Sequence, residues 1–355
     1  MGARTTALWS MTVGTAGALA LTLSVGAASS VPTAGTAGSV PLRPAAQTVA
    51  ADLGPAVFPV THGAGAPTAR FTTVVGSAVR PAVKVTRPGG AWAAHHVAVL
   101  WLSHVALRLE LHPGVKTSYS HVADPGASPH WTTSPVLSRR LQVALAATFN
   151  GGFKIVNGDS RGGYWDSGYG IDGRGRVMHD PTGTSVLHRG VMSLVVYRDG
   201  SWNVGRWGTE LRMTPRVRFV RQELSPLVDR GAINPLTRTT NCQTVLGRTV
   251  SIPRCAPWRS GVGVTASGDL VYVSGNRLTP LQLAVLLRDA GAVRAMQLDV
   301  NRQWISAEYY RPGTATHAAV PHVVNSPYYS AAHYVSGSVA AGTASNRDFF
   351  AAYLR

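Results

Sequence analysis

The chain has 355 residues, 45% of them hydrophobic, which is enough for a sizeable core and excludes wholesale disorder. Lys and Arg number 33 against 16 Asp and Glu, a formal charge of +17, so the surface attracts polyanions in a salt-dependent way. Two cysteines exclude a cysteine-rich zinc scaffold and a disulfide-dense miniprotein, and no internal stretch of about 20 apolar residues suits a polytopic membrane protein. Nearly all the positive charge is Arg, the only lysines being Lys84, Lys116 and Lys154. That bias, with abundant Ala, Gly, Val and Pro, is also what a GC-rich genome writes, so the excess has a compositional as well as a functional reading. There is no Lys/Arg run and no DNA- or RNA-binding module, so specific nucleic-acid recognition is not expected.

Arg4 is the one charge in residues 1–30, and an apolar stretch centred on Leu19, Leu21 and Leu23 leads into small residues from Gly26 to Ser30. This is the layout of a secretory signal, predicting a secreted or envelope-associated protein; the membrane is a partner only if the segment stays uncleaved. Residues 31–67, rich in Ala, Pro, Gly and Thr, read as a flexible linker, and the folded domain is expected over 68–355. In an oxidising compartment Cys242 and Cys255 pair by default, closing a short loop worth on the order of 3 kcal/mol in the chain-entropy model.

Within the domain, Val97–Leu102 and Val105–Leu111 read as strands, the second setting Leu107, Leu109 and Leu111 against Ala106, Arg108 and Glu110. A short helical turn is expected near Leu137–Leu141, then a buried strand Val143–Phe149 running into Asn150-Gly151-Gly152-Phe153. Residues 157–175 read as a long Gly/Asp/Tyr loop. Val191–Tyr197 and Trp202–Val204 form a hairpin about Asp199-Gly200, and Val262–Thr265 with Leu270–Val273 a second about Ser267-Gly268. Thr279 caps a helix with Pro280 at its first position and Gln282 completing a capping box. Leu283, Leu286, Leu287 and Ala290 give its core stripe, and Gly291 stops it. Ala295–Leu298 is the next strand. The strand–helix–strand order implies a crossover between parallel strands, with Asp299 at the carboxyl edge where open sheets place ligands. The fold class is α+β: a mixed, largely antiparallel sheet with few helices and one β-α-β crossover near the active edge.

Some motifs lack their structural context. Gly158–Gly162 matches GxSxG and Gly168–Gly173 matches GxGxxG, but neither opens a helix. His95-His96 has no second metal-ligating pair. No cofactor is evident, and a divalent-metal requirement is left open.

Several segments in order carry a resemblance. Ala147-Thr148-Phe149-Asn150-Gly151-Gly152-Phe153, then Arg259–Thr265 with Gly268–Val271, then Leu278–Ala284, Gly291-Ala292 and Ala295–Asp299 resemble the phosphodiester glycosidase family over roughly 145–300. That family includes the lysosomal uncovering activity, which removes N-acetylglucosamine from phosphate-linked mannose. The resemblance implies hydrolysis of a sugar-1-phosphodiester through an oxocarbenium-like transition state that needs a nearby carboxylate. It casts Asp299 as base, nucleophile or cation stabiliser and Arg259 as the phosphate-holding guanidinium. Asn150, Gly151 and Gly152 would form a substrate-touching turn, with Lys154 on the anion and Asp166 as a reserve carboxylate. The family usually follows its Asp with a Gly-Gly-Gly-Ser loop, where this chain has Val300-Asn301-Arg302. Arg302 would then offer a side-chain fork in place of backbone N–H groups. The expected partner is a phosphate-containing glycan or wall polymer, and the rival expectation is a non-catalytic module that binds such polymers.

Overall fold

The computed structural model describes residues 70–73, 78–86, 97–114, 131–153, 163–166, 168–171, 177–184, 186–224, 226–238, 258–302, 304–317, 319–325 and 347–355. The signal and linker segments, His95-His96, Lys154, the GxSxG segment and both cysteines lie outside these residues.

The described strands form three sheets, and every pairing is antiparallel. The eight-stranded sheet has the order β1 (Arg70–Thr73), β2 (Val79–Thr86), β3 (Val97–Leu102), β15 (Leu270–Gly275), β14 (Arg259–Thr265), β16 (Ala292–Gln297), β12 (Pro226–Asp229), β13 (Ala232–Ile233). The six-stranded sheet runs β10 (Trp202–Arg206), β9 (Met192–Tyr197), β11 (Val217–Glu223), β6 (Tyr164–Asp166), β7 (Tyr169–Ile171), β8 (Val177–His179). The five-stranded sheet runs β18 (Val320–Asn325), β17 (Ala307–Arg311), β5 (Leu145–Asn150), β19 (Phe349–Leu354), β4 (Leu107–His112). Two α-helices are described, α1 (Arg139–Gln142) and α2 (Pro280–Asp289). This is the expected sheet-rich α+β fold.

One face of each sheet meets in a common core that includes Leu100, Val262 and Met296 from the first sheet, Phe219 from the second, and Leu109, Phe149 and Phe350 from the third. The opposite face of the eight-stranded sheet is covered by α2, where Val99, Val271 and Ala295 pack against Leu283, Leu286 and Leu287. Strand β3, Val-Ala-Val-Leu-Trp-Leu, is buried at all six positions because both its faces are covered. Each buried leucine of α2 contributes roughly 1.5–3 kcal/mol.

The helix begins as its sequence dictates: Thr279 Oγ1 accepts from Gln282 N at 3.2 Å while Gln282 Oε1 accepts from Thr279 N at 2.8 Å. Strand β14 is antiparallel to both β15 and β16, so β15 and β16 run parallel with β14 between them. Helix α2 joins them as the expected crossover. One expectation fails: part of the Gly/Asp/Tyr loop is the β6–β7 hairpin. Tyr164 packs edge-on to Trp131 at 4.3 Å, and β6 pairs with β11, so a distant partner makes a strand of a segment whose local glycines predict a loop.

Candidate functional site

The ends of β5, β11, β14 and β16 and the residues before β17 and β19 converge at one rim. Strand β14 anchors it. Ser260 N donates to Asp299 O at 2.9 Å, Leu298 N donates to Ser260 O at 2.8 Å, and Asp299 N donates to Ser260 Oγ at 3.1 Å. Asp299 then turns back on its own loop: Oδ1 accepts from Asn301 N at 2.8 Å, an Asx turn. Its Oδ2 lies 3.4 Å from Arg347 Nη2, which also donates to Gly152 O at 2.8 Å.

Next to Arg347 in sequence, Asp348 Oδ2 accepts from Arg221 Nε at 2.7 Å. Arg221 donates through Nη2 to Phe153 O and through Nη1 to Gln222 O, and Nη1 lies 2.7 Å from Glu223 Oε1. That last contact is close but off the N–H direction, so neither oxygen of Glu223 receives a hydrogen bond from the described residues. The result is a chain of alternating charges, Asp299–Arg347 and Asp348–Arg221–Glu223, joined through the carbonyls of Gly152 and Phe153. None of the five is more than 2% exposed.

The glycines of Asn-Gly-Gly-Phe are required by this packing. A Cβ on Gly151 would collide with the Asp348 carboxylate, and one on Gly152 with that of Glu223. Asn150 lies beneath, its Oδ1 accepting from Tyr272 OH at 2.7 Å and its Nδ2 donating to Ser260 Oγ at 3.1 Å. It brackets β5, β14 and β15 together. The residues that follow three of the site positions, Phe153, Leu224 and Val300, form a small apolar cluster of their own. Leu224 sits at φ +28°, a conformation unusual for a leucine.

Burial sets the electrostatics. It pushes Glu223 well above the ordinary carboxylate range, further raised by Asp348 and Asp299 and only partly offset by Arg221 and Arg347. Burial also raises Asp299, against the pull of Arg347 and the backbone N–H groups of Asn301 and Val300. Burial works against the charge on Arg221, but Asp348 and Glu223 outweigh it and hold the guanidinium protonated. Burial thus disfavours the charge on both acids, and more strongly on Glu223, whose oxygens receive no hydrogen bond from the described residues. Among the described residues no group of three His, Cys, Asp or Glu side chains is disposed to hold a metal ion.

The sequence-predicted residues divide. Asp299, Asn150, Gly151 and Gly152 come together. Arg259 does not join them: its Nε donates to Leu278 O at 2.7 Å and its Nη1 to Gln297 Oε1 at 2.8 Å, and it forms no ion pair with Asp299. Ser260 bonds to both Leu298 and Asp299 at the end of the β14–β16 ladder, so Arg259 lies beyond the last pair; Asp299 turns into its own loop and Arg259 turns toward the start of α2. Desolvation alone lowers Arg259 to about 10. The guanidinium facing Asp299 belongs to Arg347. Asp166 is buried on β6 and accepts from Thr132 N at 2.6 Å and Thr132 Oγ1 at 2.7 Å, a structural bond across a connection. Arg302 is exposed. Sequence reasoning missed Arg221, Glu223, Arg347 and Asp348. Their signal was the placement of scarce charge: Arg221 and Glu223 alternate in a strand with Phe219, and Arg347-Asp348 abuts Phe349-Phe350-Ala351-Ala352-Tyr353.

No protein-family model and no curated protein matches the chain. Solved structures show weak similarity to it, three among them as follows. The catalytic domain of zebrafish N-acetylglucosamine-1-phosphodiester alpha-N-acetylglucosaminidase, auto-inhibited by its pro-peptide, aligns at TM-score 0.42 and 14% identity over 84% of this chain and 87% of that one. A hypothetical protein from Synechocystis aligns at TM-score 0.35 and 11% identity over 81% of this chain and 62% of its own length. A protein provisionally described as exported, from Burkholderia pseudomallei, aligns at 0.24 and 11% over 73% of each.

Proposed function

We propose that this chain is an exported hydrolase that cleaves a sugar-1-phosphodiester at its glycosidic bond, acting on envelope or extracellular glycans. The observation that carries the reading is the buried set of three carboxylates braced by two guanidiniums on the Asn-Gly-Gly-Phe turn. Arg347, already bound to Asp299 and Gly152, is the phosphate-holding group. Asp299 stabilises or attacks the anomeric carbon as the glycosidic bond breaks, and Glu223 donates a proton to the departing phosphate oxygen; water then adds to the anomeric carbon, freeing Asp299, and its proton returns to Glu223. Lys154 and Arg302, which follow Phe153 and Asn301 in sequence, are assigned to the anionic rim. The amino-terminal charge and apolar pattern supports export, and the described residues contain no helix long and apolar enough to cross a membrane. Because the acids are at most 2% exposed, turnover requires the centre to open.

The test offers the full protein a panel of sugar-1-phosphodiesters, with and without chelator. Release of free sugar and a phosphomonoester is expected; no turnover of any member refutes the reading. A second reading has its own motive in the closed centre and the Val-Asn-Arg loop in place of glycines: a silent module gripping anionic wall polymers. It predicts polymer binding that weakens with salt and no turnover.

A further inference from the structure

We infer that the protein has a second ligand site, for the phosphorylated sugar unit of an anionic glycan chain, in a groove remote from Asp299. The groove has a volume of about 380 Å³ and is lined by Trp202, Asn203, Arg230, Thr265, Ser267 and Arg294, among others. It lies where the β14–β15 turn meets the β12–β13 turn and the starts of β10 and β16. Strand β14 runs seven residues from Arg259 to Thr265, so at about 3.3 Å per residue the groove is roughly 20 Å from the rim that holds Asp299. Its size is that of an ordinary small-ligand site.

The charge around it is unevenly matched. Arg206 lies 2.9 Å from Asp229, and Glu210 lies 3.9 Å from Arg206 and 3.7 Å from Arg294, so the two acids are shared between those two arginines. Arg230 is the surplus cation: it is exposed, and among the described residues it makes no ion pair or hydrogen bond. It occupies φ +50° ahead of Gly231 at φ +78°, a turn position that favours Asn, Asp or Gly and where an arginine is conformationally costly. Asn203 uses its Oδ1 on Val204 N at 2.8 Å, which leaves its Nδ2 as an open donor. Trp202 is buried at 7% exposure within the common core and donates from Nε1 to Gly268 O at 3.0 Å, so it forms a fixed floor rather than a free stacking face. Thr265 and Ser267 hold each other's hydroxyls at 2.8 Å in the β14–β15 turn, where Ser267 Oγ also donates to Asp269 Oδ2 at 3.2 Å, a carboxylate held on its other oxygen by His104 Nδ1 at 2.9 Å.

Guanidinium forks recognise phosphate oxygens, and the open amide donor of Asn203 suits a sugar hydroxyl. Ala266 and Ser267 at the margin are exposed, so a chain can continue past the groove. Holding one unit here raises the local concentration of neighbouring units at the Asp299 rim. The ligand class rests on the proposed function, whereas the site itself does not depend on turnover.

The experiment measures binding of the full protein to phosphomannan by calorimetry, with dephosphorylated mannan as control and mannose 6-phosphate as a monomeric competitor. Arg230→Ala/Arg294→Ala is expected to weaken phosphomannan binding by about ten-fold or more, Arg139→Ala, at an exposed arginine of α1 outside the groove lining, to leave it unchanged, and mannose 6-phosphate to displace the polymer only at high concentration. Arg230→Glu, at an exposed turn, gives the same test without disturbing the Arg294 ion pair. Equal binding of dephosphorylated mannan, no binding at all, or wild-type binding by Arg230→Glu overturns the site. Binding lost in Asp299→Asn and kept in the double variant moves the ligand to the Asp299 rim and also overturns it. Absent turnover with binding that still depends on Arg230 removes the hydrolase reading and leaves the groove standing.

Discussion

Gly152 has no side chain because Glu223 occupies the space a Cβ would need. Gly152→Ala therefore drives the carboxyl out of place, and a loss of roughly 1–3 kcal/mol by urea unfolding is expected from overpacking. The two arginines proposed for phosphate are separable by the same kind of reasoning. Arg259 is held by neutral acceptors under α2, so Arg259→Gln should lower Tm while the folded protein keeps its kcat. Arg347 touches Asp299 and the Gly152 carbonyl, so Arg347→Gln should cut kcat/KM about 100-fold or more, the scale of removing a transition-state charge partner. Equal effects of the two substitutions would contradict this division of roles. Asp299 was legible in the sequence because an apolar strand ends on it. The orientation of Arg259 was not, because strand register sets which residues face each other and not where two long side chains turn.

At the scale of elements, local chemistry wrote the parts that folded as expected. The Thr279-Pro280-Leu281-Gln282 start specifies α2 without help from distant residues, and the glycine turns specify two hairpins. Thr279→Ala should cost about 1 kcal/mol by loss of the cap and leave kcat unchanged, measured by thermal melts and turnover on the same preparation. What the sequence did not disclose depends on distant partners. Strand β6 exists because β11 lies beside it, and Asp348 reaches the rim because β19 inserts between β5 and β4. The cluster therefore draws on positions from 151 to 348, too far apart for any local pattern to join them.

The whole molecule carries a buried histidine that makes its stability pH-dependent. His112 on β4 stacks on Phe349 at 4.9 Å, with Nδ1 donating to Ser134 O at 2.8 Å and Nε2 accepting from Tyr353 OH at 3.0 Å. Burial lowers it from 6.5 to about 4, against the opposing pulls of Ser134 O and Glu110. Its folded value is below its unfolded one, so its contribution is fully present above pH 6.5 and falls as the unfolded chain takes up a proton between 6.5 and about 4. The loss is on the order of 3 kcal/mol. The raised carboxyls of Glu223 and Asp299 act oppositely, favouring the fold as pH falls. The wild-type curve therefore blends the two, and subtracting the curve of His112→Gln isolates the histidine. A difference that does not change between pH 6.5 and 4 would contradict the assignment.

The central claim is that the braced carboxylates at the Asn-Gly-Gly-Phe turn are a reaction centre. The most direct measurement is the rate of sugar release from an N-acetylglucosamine-1-phosphodiester by the wild-type protein and by Asp299→Asn, with matched melting curves. The account predicts a fall of about 100- to 10,000-fold in kcat with the fold retained. Undiminished release by a folded Asp299→Asn protein would contradict it.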